Sequence, residues 1–224
     1  MKGANNLNPA QTSMKRIVVG ISGATGAIFG IRLLQLLLSV ESIETHLVMS
    51  AAARRTIVLE TKYSLAEVEG LANRVHRAAD IAASIASGSF RTAGMIIAPC
   101  SMKTVSGIAV SYSDNLLLRA ADVTLKERRP LVLLVRETPL HLGHLRLLAQ
   151  VAELGGIIMP PVPAFYHRPT TLEEVVDHTL NRALDLLGIE LDKDLFSRWA
   201  GAGGHSDEGR VSAIERTTPT LVKT

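Results

Sequence analysis

The sequence predicts a doubly wound α/β fold, in which helices cover both faces of a mainly parallel sheet to give three layers. Short, continuously apolar segments rich in Val and Ile recur along the chain, as in parallel strands that are buried on both faces. Segments with helical spacing separate them, which is the alternation expected of this class. Glycine-rich or hydroxyl-bearing loops follow several of the apolar segments. In such sheets ligands bind at the carboxyl ends of the strands, where the strand order reverses.

Five apolar segments are predicted strands. They are RIVVGI (16–21), THLVMS (45–50), GMIIAP (94–99), PLVLLVRE (130–137) and GIIMPP (156–161). Five segments with helical spacing accompany them: GAIFGIRLLQLLLSV after the first strand, AAARRTIVLET after the second, NLLLRAADVTLKERR before the fourth, HLGHLRLLAQVAELG between the fourth and fifth, and TLEEVVDHTLNRALDLLG after the last. The first and third of these helices carry more apolar surface than one small sheet needs, which favours an oligomer.

Length and composition favour one soluble domain. The 224 residues are 47% hydrophobic and 20% charged, which is typical of a globular protein. We expect a single domain over 14–200, a polar tail over 1–13 and a second loose tail over 201–224. The net charge of +3 is spread along the chain, so nothing argues for nucleic-acid binding.

The sequence also indicates in which cellular compartment the protein is expected. Its single cysteine excludes an internal disulfide and fits a reducing cytoplasm. The amino terminus lacks the apolar region of a secretory signal, and no apolar run is long enough to cross a bilayer. We therefore expect a cytoplasmic protein that binds no membrane.

The segment KRIVVGISGATGAIFG (15–30) combines a strand, a glycine-rich turn and the start of a helix. Glycines let backbone amides approach an anion closely, and the helix dipole adds attraction for a phosphate. Ser22 and Thr25 place hydroxyls beside those amides, which suits a mononucleotide phosphate or the edge of a flavin. The spacing matches neither the dinucleotide fingerprint nor a nucleoside-triphosphate loop. On this motif alone, a ligand-binding turn and a simple packing turn remain equally open.

The second and third strands also end in hydroxyl-bearing residues. Ser50 is a predicted N-cap, for which an ordinary structural role is sufficient. Ser101, Lys103 and Thr104 lie at another predicted helix start on the same sheet edge, which favours one shared ligand. Cys100 has no recognisable base nearby, so we interpret it as a buried structural residue.

Charged residues mark the later loops. Arg136 and Glu137 follow the fourth strand and should lie at the rim of the same cleft. Arg119 and Lys126 are seven residues apart and therefore share a helix face. Tyr166 lies in an irregular, proline-rich loop, PVPAFYHRPTT, after the fifth strand.

Four motifs together resemble the flavin prenyltransferases, formerly described as small subunits of phenolic-acid and polyprenyl-hydroxybenzoate decarboxylase systems. The motifs are GISGATGA, APCSMKT, RAADVTLKERRPLVLLVRETPL and PAFYHRP, in that order, and the resemblance covers about 15–199. It implies a flavodoxin-like or Rossmann-like three-layer flavoprotein. It also implies a metal-independent enzyme that joins the prenyl group of dimethylallyl phosphate to N5 and C6 of reduced FMN, releasing phosphate. The product, prenylated FMN, would serve a separate downstream decarboxylase.

The resemblance assigns roles to individual residues. It implies that FMN is held by Gly23, Ala24, Thr25, Ser50, Ser101, Met102, Lys103, Thr104 and Arg136. Tyr166 and Arg182 would bind the phosphate of the prenyl donor. The implied catalytic residues are Glu60, Glu137, Lys126 and Arg119, of which the two cations would come from a neighbouring subunit. Glu60 is interpreted as a general acid for the leaving phosphate. The family habit implies a homo-oligomer, often a dodecamer.

Two departures and two alternatives accompany this interpretation. Thr25 stands where many relatives have serine, and LHLGHLRLL (140–148) replaces a different run after the RETP motif. One alternative is an FMN-dependent cysteine-type decarboxylase of the same fold, against which the loop APCSMKT argues because it lacks an asparagine. The other is a non-catalytic flavin-binding accessory subunit.

Overall fold

The computed structural model describes residues 14–199 and residue 201, and six parallel strands form the sheet of this part of the chain. The strands are β1 (Lys15–Ile21), β2 (Ile43–Met49), β3 (Arg74–Arg77), β4 (Gly94–Cys100), β5 (Leu131–Val135) and β6 (Ile157–Ile158). Their spatial order is β3-β2-β1-β4-β5-β6. The direction of winding therefore reverses between β1 and β4, which places a topological switch point at the carboxyl ends of these two strands.

The helices cover both faces of this sheet. They are α1 (Ala27–Leu38), α2 (Ala51–Glu60), α3 (Leu65–Gly70), α4 (Met102–Ala109), α5 (Leu116–Lys126), α6 (Leu142–Glu153) and α7 (Leu172–Asp185), with a 3₁₀ turn at Ser84–Ala86. One apolar cluster joins the sheet to α1, α2 and α7, and a second joins it to α4, α5 and α6. The predicted doubly wound, three-layer α/β class is confirmed.

The central strands are buried throughout, because they lie between two helical layers. All residues of β4 and of β5 are buried. Helix α1 approaches the sheet closely at Gly30, where an added Cβ would lie 2.4 Å from the carbonyl oxygen of Ala98. Glycine is required at this crossing because any side chain would push the helix away from β4.

The five predicted strands are all present, with shifted bounds, and one further strand was not predicted. β2 begins two residues before the predicted 45–50, and β6 keeps only two residues of 156–161. The missed strand is β3, which pairs with β2 at the edge of the sheet. Its sequence, RVHR, has no apolar run because an edge strand faces solvent, so the pattern used for buried strands does not apply.

Residues 1–13, 200 and 202–224 lie outside the described residues, and the predicted tails 1–13 and 201–224 fall on them except for residue 201. The division of the chain at 14 and 200 therefore remains a prediction. Within the described part of the chain, no helix has the length and apolar character needed to cross a membrane.

Candidate functional site

Ser22 joins the two strands at the switch point. Its hydroxyl donates to the carbonyl of Pro99 at 3.0 Å and accepts from the amide of Ser101 at 2.7 Å. Ser22 is 1% exposed, so the ends of β1 and β4 are fastened by a buried hydroxyl. The sequence suggested this hydroxyl for a bound phosphate, but both of its bonds serve the scaffold.

A cleft of about 720 Å³ opens beside this junction, at the carboxyl edge of the sheet. Its wall is formed by the turn after β1, the first turns of α2, α4 and α5, and the segment after β3. Seven of the residues predicted from sequence line it: Gly23, Ser50, Ser101, Met102, Lys103, Thr104 and Glu137. The volume falls within the range of roughly 300–1,000 Å³ typical of cofactor and ligand pockets.

Three helices begin at this cleft, and each has a side-chain N-cap. Ser50 accepts from the amide of Ala53 at 3.0 Å, and Asn115 accepts from the amide of Leu118 at 3.1 Å. Ser101 caps α4 through the amide of Thr104. The remaining first-turn amides give this edge a positive potential. The cleft therefore suits a ligand with an anionic group.

Both cationic and apolar groups line the cleft. Lys103 lies 3.7 Å from Asp114, and its side chain is 75% exposed, so its ammonium remains accessible. Arg55, on the first turns of α2, adds a second cation that was not predicted. Leu117 and Leu118 provide apolar wall. This combination fits a phosphate at one end and a flat, largely apolar ring system at the other.

Glu60 is the last residue of α2, and its carboxylate lies at the start of α1. Its carboxylate accepts from the amides of Gly26 at 2.8 Å and Ala27 at 3.2 Å. Burial alone would raise the pKa of Glu60. The Thr25 hydroxyl, the two amides and the charge of Arg136 outweigh that effect and hold the pKa below its ordinary value. The anion at the glycine-rich turn is therefore this carboxylate, and the ionised form is its resting state.

The resting state of Glu60 bears on its expected role as a general acid. A proton donor must carry a proton, and this environment disfavours the protonated form. Proton donation by Glu60 would require a ligand that raises its pKa. A phosphate oxygen close to the carboxylate would act in that direction because like charges repel.

Three further residues, Ala24, Thr25 and Arg136, were predicted to hold the flavin. Ala24 donates its amide to the carbonyl of Ser22 at 3.0 Å, within the turn after β1. Arg136 donates its amide to the carbonyl of Cys100 at 3.0 Å, so its backbone is fixed beside β4. Ala24, Thr25 and Arg136 do not line the cleft, but Thr25 and Arg136 both act on Glu60.

Arg119 and Lys126 lie on α5 and do not line the cleft of their own protomer. The Arg119 guanidinium donates to the carbonyl of Ala86 at 3.2 Å and to Asp122 at 2.8 Å. Lys126 pairs with Glu127. Both cations therefore lie outside the site formed by one chain.

Tyr166 and Arg182 form a separate group with α7 and also do not line the cleft. The Tyr166 hydroxyl lies 2.8 Å from Nε2 of His178. Arg182 follows one helical turn after His178, and its charge contributes to lowering the pKa of that histidine, after burial and His167. The Arg182 guanidinium lies 3.7 Å from Asp185 and its side chain is 52% exposed, so it can bind a further anion.

Sequence reasoning missed Arg55 and His178. Arg55 lies three residues after Ala52 on α2, and residues with this spacing are neighbours on one helix face. Since Ala52 lines the cleft, this spacing could have identified Arg55 as well. His178 precedes Arg182 by four residues on α7, and the same rule applies. No signal in the sequence shows that His178 meets Tyr166, because that contact depends on how the loop before α7 folds.

Cys100 carries no chemistry in this structure. Burial raises the pKa of its thiol well above the ordinary value, so the thiolate needed for nucleophilic attack is absent. Among the described residues, no group of three or more His, Cys, Asp or Glu side chains is arranged to hold a metal ion.

Comparison with known proteins gives concordant matches. The family model described as Flavoprotein matches residues 6–180. Over 189 residues the chain is 68% identical to flavin prenyltransferase UbiX of Escherichia coli (strain K12), covering 84% of this chain and 100% of that protein. The dodecameric FMN-dependent UbiX-like decarboxylase from Escherichia coli O157:H7 superposes with a TM-score of 0.80 at 50% identity, covering 83% of this chain and 100% of that chain. AnUbiX (PadA1) in complex with FMN and dimethylallyl pyrophosphate superposes with a TM-score of 0.78 at 49% identity, covering 84% of this chain and 98% of that chain.

Proposed function

Because this chain belongs to the flavoprotein family and is a flavin prenyltransferase, we propose that it joins the dimethylallyl group of dimethylallyl phosphate to N5 and C6 of reduced FMN. The observation that carries the proposal is a juxtaposition at the carboxyl edge of the sheet. A cleft with cationic and apolar walls lies there, and the charge of Arg136 acts on the carboxylate of Glu60 at the turn after β1. The first feature suits a flavin mononucleotide, and the second suits a reacting phosphate.

The cleft supports the assignment of the FMN site. Ser50, Ser101 and Thr104 offer hydroxyls, and Lys103 with Arg55 would neutralise the flavin phosphate. Met102, Leu117 and Leu118 would contact the apolar ring. When bound, reduced FMN supplies N5 and C6 as nucleophiles. The chain's residues orient the ring at the switch point and keep water from its reactive edge.

The donor site is proposed at Tyr166 and Arg182, completed by Arg119 and Lys126 of a neighbouring copy. The allylic C–O bond breaks with its electron pair leaving on the phosphate, so negative charge develops there and positive charge on the allyl fragment. Three cations and a phenol hydroxyl around the phosphate stabilise the departing group, and exclusion of water strengthens their effect. No metal is needed for this charge stabilisation.

Glu60, Arg136 and Glu137 are proposed to act between the two sites. A phosphate that carries one proton can donate it in a hydrogen bond to ionised Glu60, whereas a fully ionised phosphate would be repelled. Arg136 offsets the charge of Glu60, as the lowered pKa of that carboxyl indicates. Glu137 lines the cleft and would face the same phosphate. Ring closure balances if the double bond of the prenyl group takes up the proton that N5 loses, while the released phosphate accepts the proton lost from C6.

The assembly and the recipient of the product belong to this proposal. A homododecamer is supported by the similar E. coli O157:H7 chain, which is described as dodecameric. From the sequence, α1 and α5 were expected to carry more apolar surface than one small sheet can cover. In the structure, most of that surface is buried within the protomer. Exposed apolar side chains lie on α6, at Leu142 and Leu145, and on α2, at Val58 and Leu59. Prenylated FMN would then pass to a separate decarboxylase that depends on it.

The test is anaerobic incubation of the pure protein with reduced FMN and dimethylallyl phosphate, followed by mass spectrometry of the flavin. We expect a flavin heavier by one C5 prenyl unit, with no other protein present. Omission of the donor is the control. FMN that stays bound but unmodified would contradict the proposal and favour a cysteine-type decarboxylase or an accessory flavin carrier.

A further inference from the structure

The mechanism above uses the hydroxyl of Tyr166 but not the hydrogen bond that joins it to His178. The Tyr166 hydroxyl oxygen lies 2.8 Å from Nε2 of His178, and the two rings meet nearly at right angles, with an interplanar angle of 77°. Tyr166 is 42% exposed, whereas His178 is 9% exposed. The buried histidine therefore lies behind the hydroxyl of an accessible tyrosine.

The His178 ring is held from several sides. It stacks on His167 with the ring centres 4.6 Å apart and the planes 8° from parallel. The ring of Phe196 packs against it with the ring centres 4.3 Å apart and the planes at 63°. The preceding residue, Asp177, makes two hydrogen bonds to Arg32 of α1, at 2.7 and 2.8 Å, which fasten this turn of α7. Because these contacts hold its ring in place, His178 can hold the Tyr166 hydroxyl in a fixed orientation.

The surroundings keep this imidazole neutral. Burial is the largest cause, and the charges of His167 and Arg182 act in the same direction, so the pKa of His178 is lowered. A neutral imidazole carries one N–H, and its other ring nitrogen accepts. The hydrogen bond to Tyr166 can therefore run in either direction, depending on which nitrogen carries the hydrogen.

We propose that His178 is a positioning residue that directs the hydroxyl proton of Tyr166 toward the phosphate of the prenyl donor, an inference that rests on the proposed function. The phosphate oxygens that carry no proton accept hydrogen bonds and donate none. The arrangement that gives the phosphate a donor and keeps the contact with the histidine has Nε2–H of His178 donating to the tyrosine oxygen while the tyrosine O–H donates to the phosphate. Arg182, one turn along the same helix face, binds the same phosphate. Helix α7 thus provides Arg182, which binds the phosphate directly, and His178, which acts on the phosphate through Tyr166.

Two substitutions separate the hydrogen bond from the packing. His178→Phe keeps a ring that can stack on His167 but removes the N–H. His178→Gln keeps an amide N–H that can reach the tyrosine oxygen. Each is made alone and with Tyr166→Phe, and unfolding midpoints identify any variant that does not fold. Steady-state prenyl transfer gives kcat and KM for dimethylallyl phosphate, and calorimetry gives its Kd on FMN-loaded protein.

We expect His178→Phe to raise KM and Kd for dimethylallyl phosphate about tenfold, the size of one hydrogen bond to a charged group. The KM for FMN should stay unchanged. His178→Gln should remain within about threefold of the unsubstituted protein, since it retains the donor. In the Tyr166→Phe background, His178→Phe should change KM and Kd by less than about twofold, because its effect passes through the missing hydroxyl.

Three results would overturn the inference. These are multiplicative effects of the two substitutions, a Gln variant as impaired as the Phe variant, or an equal loss of FMN affinity. If the unsubstituted protein binds dimethylallyl phosphate without transferring it, the proposed function fails, while the Kd cycle still tests His178. Absence of any donor binding by FMN-loaded protein would overturn both.

Discussion

The carboxylate of Glu60, at the end of α2, accepts a hydrogen bond of 2.8 Å from the amide of Gly26, at the start of α1. A helix N-terminus after a glycine-rich turn is a common place for a bound phosphate. Here an internal carboxylate takes that place, and Gly26 adopts a positive φ of 93° that aims its amide at Glu60. The glycine turn therefore positions an acidic side chain at the switch point, and the anionic end of a ligand is left to the N-termini of α2 and α4.

Replacing Glu60 with Gln should slow prenyl transfer by at least about tenfold, the loss expected when a hydrogen bond between charged partners becomes a neutral one. FMN affinity should be unchanged, because Glu60 does not line the cleft. Anaerobic turnover and FMN titration measure the two effects. Glu67→Gln is the matched control, since Glu67 also accepts from a helix-cap residue, Ser64, but belongs to α3. Equal turnover in the Glu60 and Glu67 variants would contradict a role for Glu60 in the transfer.

Ser22→Ala should destabilise the fold by about 1–3 kcal/mol, the cost of leaving buried polar groups without partners. The substitution removes the hydroxyl that joins the carbonyl of Pro99 to the amide of Ser101. Denaturant unfolding gives the free-energy difference. Ser39→Ala is the control, because its hydroxyl bonds only to the carbonyl of Leu36 at the exposed end of α1. A loss no larger than that of the control would mean that the junction does not depend on Ser22.

Gly23→Ala should weaken FMN binding and destabilise the protein. An added Cβ at Gly23 would lie 2.3 Å from the Cβ of Ala52, so the turn after β1 and the start of α2 must separate. Both segments line the cleft, and their separation changes its shape. Gly70→Ala is the matched control, since nothing lies within 4 Å of the Cβ added there. FMN titration and thermal unfolding of the two variants provide the measurement, and unchanged FMN affinity in the Gly23 variant would refute the prediction.

The fold class could be predicted from the sequence because the signals for strands and helices lie in short segments of the chain. Each central strand is an apolar run rich in Val, Ile or Leu, and helical spacing between strands restricts the topology to a parallel, doubly wound sheet. β3 was missed because residues such as Arg74 and Arg77, at a solvent-facing edge, remove the apolar signal. The same local information placed Ser50 and Ser101 at helix starts, where both serve as N-caps.

The parts of the site that could not be predicted depend on contacts distant in sequence. Glu60 meets Gly26, Tyr166 meets His178, and Ser22 meets Ser101 only after the chain has folded. No spacing rule reports whether a hydroxyl faces a ligand or its own scaffold. For that reason the sequence suggested Ser22 for a ligand, while the structure uses it to join two strands.

Acidification should destabilise the protein below about pH 6.5, the ordinary value for histidine. Nδ1 of His46 lies 2.9 Å from Nε2 of His76, and burial is the main cause that lowers the pKa of both rings. The unfolded chain therefore binds more protons than the folded chain as the pH falls from 6.5 toward the folded pKa values, so the free energy of unfolding decreases over that window. Denaturant midpoints between pH 5 and 8 measure this. A flat profile in that range would contradict the prediction, and His76→Gln should reduce the slope because it removes one titrating ring.

Mixed oligomers should regain activity that neither component has alone. The proposed donor site takes Tyr166 from one protomer and Arg119 from its neighbour. Within its own chain the Arg119 guanidinium contacts Asp122 and the carbonyl of Ala86. Arg119→Ala and Tyr166→Phe variants should each be strongly impaired. Co-expression in equal amounts should restore about a quarter of the sites, because random neighbours pair one intact Tyr166 with one intact Arg119 in that fraction of interfaces.

A mixture of Tyr166→Phe with Arg182→Ala is the control and should regain nothing, because both lesions lie on the same side of the interface. Recovery is measured as prenylated FMN formed per protomer. If the first mixture gains no more than the control, Arg119 does not act across an interface and the shared-site proposal is wrong.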